Sequence, residues 1–251
     1  MTLPPSLRWT GDHLELLDQR RLPEEVSFLQ LHQWRDVAEA IATMAVRGAP
    51  AIGVAAAWGV VLAAQANEDL DLAVSVLKSS RPTAVNLGWA LERMRTSAAA
   101  KDPVDPQALA ALAAALEADD RARTQTLVDH GVGLLKPGSR VLHHCHTGAI
   151  ATAGVGTALG VIAAGHARGV VRHAWLDETR PRLQGAPPLH GKLTVRLMVS
   201  RQHRGRNGVR VQHCTGIGLL NDCLMQGSFG ADPSAAFHDL LNFVDHDQVI
   251  N

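Results

Sequence analysis

The chain has 251 residues, of which 46% are apolar and 19% are charged, a composition typical of a globular protein with one or two domains. Lys and Arg together number 24, as do Asp and Glu, so the charge balance gives no electrostatic support for a nucleic-acid partner. Tyr is absent and aromatic residues make up only 4%, which argues against a stacking platform for bases.

The compartment is predicted from what the sequence lacks. Three cysteines are too few for a disulfide framework, and no N-terminal segment resembles a signal peptide. The longest apolar run, residues 49–66, is rich in Ala and Gly and short for a membrane span. These features predict a cytoplasmic protein with no membrane partner.

Residues 1–136 are predicted to form a mainly helical lobe with a small β-hairpin. Alternating residues around the turn at Gly11-Asp12 indicate the hairpin, over residues 7–17. The spacing of apolar residues then predicts a series of helices. These cover residues 34–44, 51–66 and 70–79, a helix that starts at residue 84, and a long helix from residue 105 to about 131.

The second lobe is predicted to begin at residue 137, because Pro137-Gly138-Ser139 is the clearest break in the chain. Residues 140–145 read as a strand, 148–168 as a helix and 170–176 as a second strand, which together form a βαβ unit. The fold class is therefore predicted as α/β, with the helical lobe followed by an incomplete Rossmann-like parallel sheet over residues 137–251.

Cys145 stands between the first of these strands and the glycine-rich segment that follows it. If a helix begins at Gly148, its N-terminus could bind phosphate, and the nearby thiol would ionise more readily and act as a base or nucleophile. The alternative is a small-residue helix packed tightly on a sheet, with a cysteine that is simply a small buried side chain. On these residues alone, both interpretations stay open.

Arg47 and Arg81 are the candidate phosphate ligands among the basic residues. Each lies at the entry to a predicted helix, and a guanidinium binds phosphate oxygens through two parallel hydrogen bonds. The alternative for both is an ordinary arginine in a solvated loop.

Several motifs occur in one order along the chain, and together they resemble the methylthioribose-1-phosphate isomerases. These belong to a larger family that includes the initiation factor 2B regulatory subunits and ribose-1,5-bisphosphate isomerase. The resemblance covers residues from about 7 to 186. The motifs are MAVRGAPAIG at 44–53, RPTAVNL at 81–87, HC at 144–145, TG at 147–148, ATAG at 151–154 and DETRPRLQGA at 177–186.

The resemblance implies an activity and a set of site residues. It implies conversion of 5-methylthioribose 1-phosphate to 5-methylthioribulose 1-phosphate in methionine salvage, by a homodimer with no metal or organic cofactor. By position, Cys145 matches the catalytic cysteine. The matches to substrate-binding positions are Arg47, Gly48, Ala49, Arg81 and Gln184.

The family pattern is lost abruptly after Ala186. Gly230-Ala231-Asp232 is followed by Pro233 and not by Arg, and no Asn-Lys pair follows, so Asp232 is not assigned as the proton donor. His146 also stands where the family has Asn. We hypothesise a changed reading frame and expect residues 187–251 to pack loosely. The spacing of His203, His213, Cys214 and Cys223 matches no common zinc pattern.

Two alternatives to the isomerase remain open from the sequence. One is a catalytically impaired relative that binds a sugar or nucleotide phosphate as a regulatory or dimerising subunit, which the missing acid favours. The other is a ribose-1,5-bisphosphate isomerase, against which the DETRPRLQGA segment argues.

Overall fold

The computed structural model describes residues 4–22, 25–100, 103–143, 145–178, 195–199 and 210–211. Its elements in chain order are β1 Leu7–Trp9, β2 Leu14–Leu17, β3 Phe28–Leu31, α1 Trp34–Ala42, α2 Ala49–Gln65, α3 Leu70–Ser80, α4 Val85–Ala99, α5 Pro106–Leu134, β4 Ser139–His143, a 3₁₀ turn Ala149–Ala151, α6 Ala158–Ala167, β5 Val171–Glu178, β6 Val195–Val199 and β7 Arg210–Val211. The α/β class predicted from the sequence is confirmed.

The chain divides into two compact units, which we call the helical unit and the sheet unit. The helical unit contains Leu3–Leu127 and Thr147–Thr157, and the sheet unit contains Val128–His146 and the described residues from Ala158 onward. The segment just after Cys145 therefore belongs to the helical unit, although it follows β4 in sequence. The domain boundary expected between residues 136 and 137 stays a prediction.

The predicted hairpin is confirmed, and it forms part of a three-stranded antiparallel sheet in the order β1-β2-β3. In β2, Leu14 and Leu16 are fully buried while Glu15 between them is only half-buried, as expected for a strand with one face on the core. The strand β3 was not predicted from the sequence, because only Leu31 among its four residues is buried.

The centre of the helical unit is α2, which is buried on every side. All residues from Ala51 to Ala64 are buried, as expected for a helix that is apolar all round. Gly59 allows this packing, because a Cβ there would lie 3.2 Å from a methyl group of Leu77 and 3.3 Å from one of Val37. The helix predicted over residues 51–66 is confirmed to within two residues at its start.

The other predicted helices of this unit are also confirmed, with small shifts at their ends. The helix α1 ends at Ala42, two residues earlier than predicted, and Met44 then has a positive φ of 60° that turns the chain toward α2. The helix α3 begins at Leu70, where Asp69 accepts a hydrogen bond from the backbone N–H of Leu72 at 3.0 Å.

The sheet unit has four strands in the order β4-β5-β6-β7. The strands β4, β5 and β6 are parallel, whereas β7 pairs antiparallel with β6. The predicted βαβ unit is thus present as β4-α6-β5. Its small core is formed by six buried side chains: Val141, Leu159, Ile162, Val171, Ala174 and Leu176.

The prediction of a helix over residues 148–168 is wrong in its first half, because α6 begins only at Ala158. The side chain of Thr152 accepts hydrogen bonds from the backbone N–H groups of Gly154 and Gly156, each at 3.1 Å. Such local bonds compete with helix formation. Gly156 also has a φ of +88°, which ends any helical run before α6.

None of the helices in the described part of the chain is both long and apolar enough to span a membrane. The loose packing expected for residues 187–251 concerns residues outside that part, apart from β6 and β7. Asp232 and the histidines and cysteines noted in the same region lie outside it as well.

Candidate functional site

The turn Arg47-Gly48-Ala49 joins α1 to α2. Gly48 precedes the first residue of α2, with φ 97° and ψ 129°. A Cβ on Gly48 would lie 2.2 Å from the carbonyl oxygen of Ala151 and 2.4 Å from its Cα. Only glycine fits this contact, so the structure brings the Arg-Gly-Ala motif directly against the turn that follows Cys145 in sequence.

Arg47 is a buried residue and not a solvated loop arginine, since only 7% of it is exposed. Its Nη2 atom donates a hydrogen bond of 2.8 Å to the backbone carbonyl of Gln19. The backbone N–H of Gln19 in turn donates to the carbonyl of Ala45 at 2.9 Å. The guanidinium is therefore held in place by the chain segment that follows β2.

Gln19 connects this arginine to the turn after Cys145. Its side-chain Nε2 donates to the carbonyl oxygen of Ile150 at 2.7 Å, and only 1% of the residue is exposed. Gln19 is not among the site residues predicted from the sequence. No sequence signal marks it, because Gln19 is the second polar residue after β2, at a position where a loop residue is usually exposed.

Two further side chains hold the same segment. The hydroxyl of Ser6 donates to the carbonyl of Thr152 at 2.6 Å, and Asp120 accepts a hydrogen bond of 2.7 Å from the backbone N–H of Ala153. Burial raises the pKa of Asp120 above its ordinary value, and the hydrogen bond from Ala153 offsets part of that rise. Residues 150–153 are thus fixed from three directions within the helical unit.

Arg81 is the second predicted phosphate ligand. It is half-buried, follows the last residue of α3, and its carbonyl accepts a hydrogen bond from the N–H of Ala84 at 3.0 Å. Its guanidinium makes no hydrogen bond or ion pair with any described residue. It precedes α4 by four residues, so it lies in the turn before that helix and not in its first turn.

The first turns of α2 and α4 lie side by side, since a Cβ on Gly53 would be 3.0 Å from the carbonyl oxygen of Asn86. Beside them is a cavity of about 350 Å³ that α5 closes on a third side. Its lining includes the apolar Val54 and Trp89 as well as Asp120, and neither Arg47 nor Arg81 contributes to it.

Cys145 is exposed and lies just beyond the end of β4, with an unusual φ of +82°. The prediction that it stands at a helix N-terminus is wrong, because α6 begins at Ala158. Cys145 and Asp177 lie at the same edge of the parallel sheet. His143 at the end of β4 pairs with Leu176, and Asp177 is the next residue of β5.

The predicted site residues fall into three groups. Arg47, Gly48, Ala49 and Arg81 belong to the helical unit, and Cys145 belongs to the sheet unit. Gln184 lies outside the described residues.

Comparison with known proteins identifies relatives of the chain. A family model described as the initiation factor 2 subunit family matches residues 45–195. The chain is 94% identical over 186 residues to a methylthioribose-1-phosphate isomerase of Parasynechococcus marenigrum, covering 74% of this chain and 55% of that protein. It is 46% identical over 246 residues to the protein of the same name from Xanthomonas campestris, covering 94% of this chain and 67% of that one.

Solved structures give the same assignment of the fold. A crystal structure of 5-methylthioribose 1-phosphate isomerase from Pyrococcus horikoshii matches with a TM-score of 0.73 and 32% identity, over 79% of this chain and 61% of that one. The delta subunit of translation initiation factor eIF-2B from A. fulgidus matches with a TM-score of 0.63 and 30% identity, over 84% and 72%.

The matches at 70–94% identity cover only part of the relatives' length. The chain spans about half the length of the Parasynechococcus and Synechococcus relatives that it matches over 186 residues. Over the shared part, the family model and the relatives indicate the same protein family. The chain belongs to the initiation factor 2 subunit family.

Proposed function

We propose that this chain is an aldose–ketose isomerase that converts 5-methylthioribose 1-phosphate to 5-methylthioribulose 1-phosphate. The observation that carries the proposal is the 94% identity over 186 residues to a protein named for that activity. The proteins of the same name from two Synechococcus strains are 72% and 70% identical over the same length.

The phosphate is proposed to bind beside the first turn of α2. The first N–H groups of a helix have no partner within the helix and attract an anion. Arg47, held by the carbonyl of Gln19, precedes that turn, and the guanidinium of Arg81 makes no bond with a described residue. The proposed roles of Gly48 and Ala49 are to let the phosphate approach the backbone, and Gln184 is proposed to bind the sugar hydroxyls.

The reaction needs an acid and a base. Because phosphate blocks the anomeric oxygen, the ring opens only when an acid protonates the ring oxygen as its bond to C1 breaks. A base then removes the proton from C2, a proton is added at C1, and the hydroxyl on C2 becomes the ketone. Hydrogen moves within the substrate, so the reaction needs no redox cofactor.

Cys145 is proposed to act as the base or to stabilise the transition state. Its exposure leaves the sulfur accessible to a small molecule. The activation by a helix N-terminus that the sequence suggested does not apply, since α6 begins far downstream. The general acid is left unassigned.

The setting of this activity is proposed from the same relatives. We propose that the protein works in methionine salvage, in the cytoplasm, as a homodimer with no nucleic-acid or membrane partner. The sugar phosphate is its only small-molecule partner in this proposal.

The test is to incubate the purified full chain with 5-methylthioribose 1-phosphate and follow the ³¹P and ¹³C NMR signals of the ketose. Conversion by the wild-type chain, and its loss in Cys145→Ala, would support the proposal. Cys223→Ala is the matched control, because it also removes one thiol and is expected to keep full turnover.

A failed test can be interpreted by measuring binding separately. If the wild-type chain binds the aldose phosphate but gives no ketose, the isomerase assignment is wrong for this chain. If Cys145→Ala converts substrate as fast as the wild type, the role given to the thiol is wrong even though the activity stands.

A further inference from the structure

Two histidines lie opposite each other at the end of the small sheet, and neither is among the residues proposed to bind substrate. The register of β2 and β3 pairs Leu14 with Leu31, so the next opposed pair outward is His13 and His32. Their ring centroids are 4.5 Å apart, with planes tilted by 31°. Directly opposed side chains of an antiparallel pair share one face, so both imidazoles reach the same point.

Asp12 adds a carboxylate to this pair. One ligand atom from each of Asp12, His13 and His32 lies within 4.8 Å of the other two. The carboxylate is oriented by Thr10, whose hydroxyl donates to Asp12 Oδ1 at 2.8 Å.

The contacts of His13 orient its Nδ1 atom toward Asp12. Its Nδ1 lies 2.7 Å from Asp12 Oδ1, and its Nε2 contacts Gln30 Oε1. The amide of Gln30 is oriented by Glu15, which accepts a bond from Gln30 Nε2 at 3.3 Å, so its oxygen faces His13. A neutral imidazole donates from one nitrogen only. With Nε2–H given to Gln30, Nδ1 is the ring nitrogen that presents a lone pair, and it faces the Asp12 carboxylate and the Thr10 hydroxyl, which lies 3.0 Å away.

We propose that Asp12, His13 and His32 bind a divalent transition-metal ion of the zinc, nickel or copper class. Imidazole nitrogen and carboxylate oxygen suit these ions, whereas calcium and magnesium prefer oxygen alone. Three protein ligands leave at least one position for water. Gln30 supports the site from outside, because a ligating histidine usually donates its other ring N–H to a neighbouring acceptor.

Metal binding at this site is linked to folding of the helical unit. The three ligands come from the β1–β2 turn and from the end of β3, so they meet only when the three-stranded sheet has formed. An ion that binds only the folded chain stabilises it. The ion takes no part in the proposed isomerisation, which needs no metal.

The test uses the full chain without a histidine tag, stripped of metal and titrated with Ni²⁺ and Zn²⁺ at pH 7.5 by calorimetry. The chain contains 13 histidines, so the site is assigned by variants. His32→Ala is expected to weaken binding by at least about tenfold, and Gln30→Ala by about tenfold. The matched controls are His130→Ala on the exposed face of α5 and Gln33→Ala before α1, both expected to bind as the wild type does.

Two further readouts depend on the ligands themselves. Electron paramagnetic resonance of the Cu²⁺ complex should show coupling to two imidazole nitrogens in the wild type and to one in His32→Ala. Added Zn²⁺ should raise the melting temperature of the wild type and not that of His32→Ala. Unchanged affinity and unchanged nitrogen coupling in His32→Ala would overturn the proposal, as would a wild-type chain that binds neither Ni²⁺ nor Zn²⁺.

Discussion

The side-chain amide of Gln19 donates to the carbonyl oxygen of Ile150 at 2.7 Å, and both residues are buried. The backbone carbonyl of the same glutamine accepts from Arg47 at 2.8 Å. One residue therefore holds both the arginine proposed to bind phosphate and the turn that follows Cys145 in sequence. Because neither contact involves solvent, each should contribute measurably to stability and to the shape of the site.

The first prediction concerns this amide. Gln19→Leu keeps most of the volume but leaves the carbonyl of Ile150 without its donor, so we expect it to lower the free energy of unfolding by about 1–3 kcal/mol. If the chain is the proposed isomerase, KM for the sugar phosphate should also rise, because the turn against Gly48 would loosen. Urea denaturation and initial-rate kinetics measure the two effects.

The control for Gln19 is Gln33→Leu. Gln33 precedes α1, is exposed, and makes no capping bond with its side chain, so this variant should change neither stability nor kinetics. Equal stability of Gln19→Leu and the wild type would contradict a net stabilising contribution from the Gln19 side chain.

The second prediction separates backbone strain from steric clash at Gly48. A Cβ there meets the backbone of Ala151 at 2.2 Å, and the φ of +97° is itself unfavourable for any other residue. Since backbone atoms cannot move aside cheaply, Gly48→Ala should destabilise the protein by about 3 kcal/mol or more. Thermal unfolding followed by circular dichroism measures the loss.

Gly11→Ala is the matched control, because Gly11 has a φ of +111° but no atom within 4 Å of the added Cβ. Only the backbone strain remains there, and we expect Gly11→Ala to lower the free energy of unfolding by about 1–2 kcal/mol. Similar losses for the two variants would mean that the contact between Gly48 and Ala151 relaxes easily.

The sequence predicted most of the helical unit because its signals are local. The run 51–64 is apolar and bounded by Pro50 and by polar residues, so both the existence and the extent of α2 could be inferred. The hairpin was predicted in the same way, from alternation around Gly11-Asp12. The strand β3 was missed, since its partner β2 lies more than ten residues away and its own burial is slight.

The segment after Cys145 shows why the site was harder to predict. Residues 148–157 are small and apolar enough to read as a helix, but Thr152 bonds to the backbone of Gly154 and Gly156 and the chain packs against α5 instead. That choice depends on Asp120 and Ser6, which are distant in sequence. Gln19 could not be inferred for the same reason: its partners are Arg47 and Ile150.

The third prediction concerns Trp58, which stacks on Trp9 with ring centroids 4.5 Å apart and donates from Nε1 to Glu117 at 3.0 Å. Trp58→Ala should cost about 3–5 kcal/mol, since it opens a cavity in the core. Trp58→Phe keeps a ring for stacking and loses the hydrogen bond, so we expect it to lower the free energy of unfolding by about 1 kcal/mol. Guanidinium denaturation followed by far-UV circular dichroism measures both.

Trp89→Ala serves as the comparison for Trp58, because half of Trp89 is exposed. It should change stability by less than about 1 kcal/mol. If Trp58→Phe and Trp58→Ala were equally destabilised, the hydrogen bond to Glu117 and not the packing would be the dominant contribution.

The last prediction concerns the pH dependence that Asp120 gives to stability. Burial raises the pKa of this carboxyl in the folded protein, so the folded state takes up a proton more readily than the unfolded state does. Its favourable contribution is therefore present below the unfolded pKa of about 4 and is lost as the pH rises through the folded pKa. Removing the charge should relieve this loss.

Asp120→Asn removes the charge and keeps an oxygen that can accept from the N–H of Ala153. Its advantage over the wild type in the free energy of unfolding should therefore grow between pH 4 and pH 7. Asp120→Ala also loses the acceptor and should be less stable than Asn at every pH. Urea melts across that range give the measurement. An advantage of Asn that shrinks as pH rises would contradict burial as the main cause, because a carboxylate stabilised by its hydrogen bond would show the opposite slope.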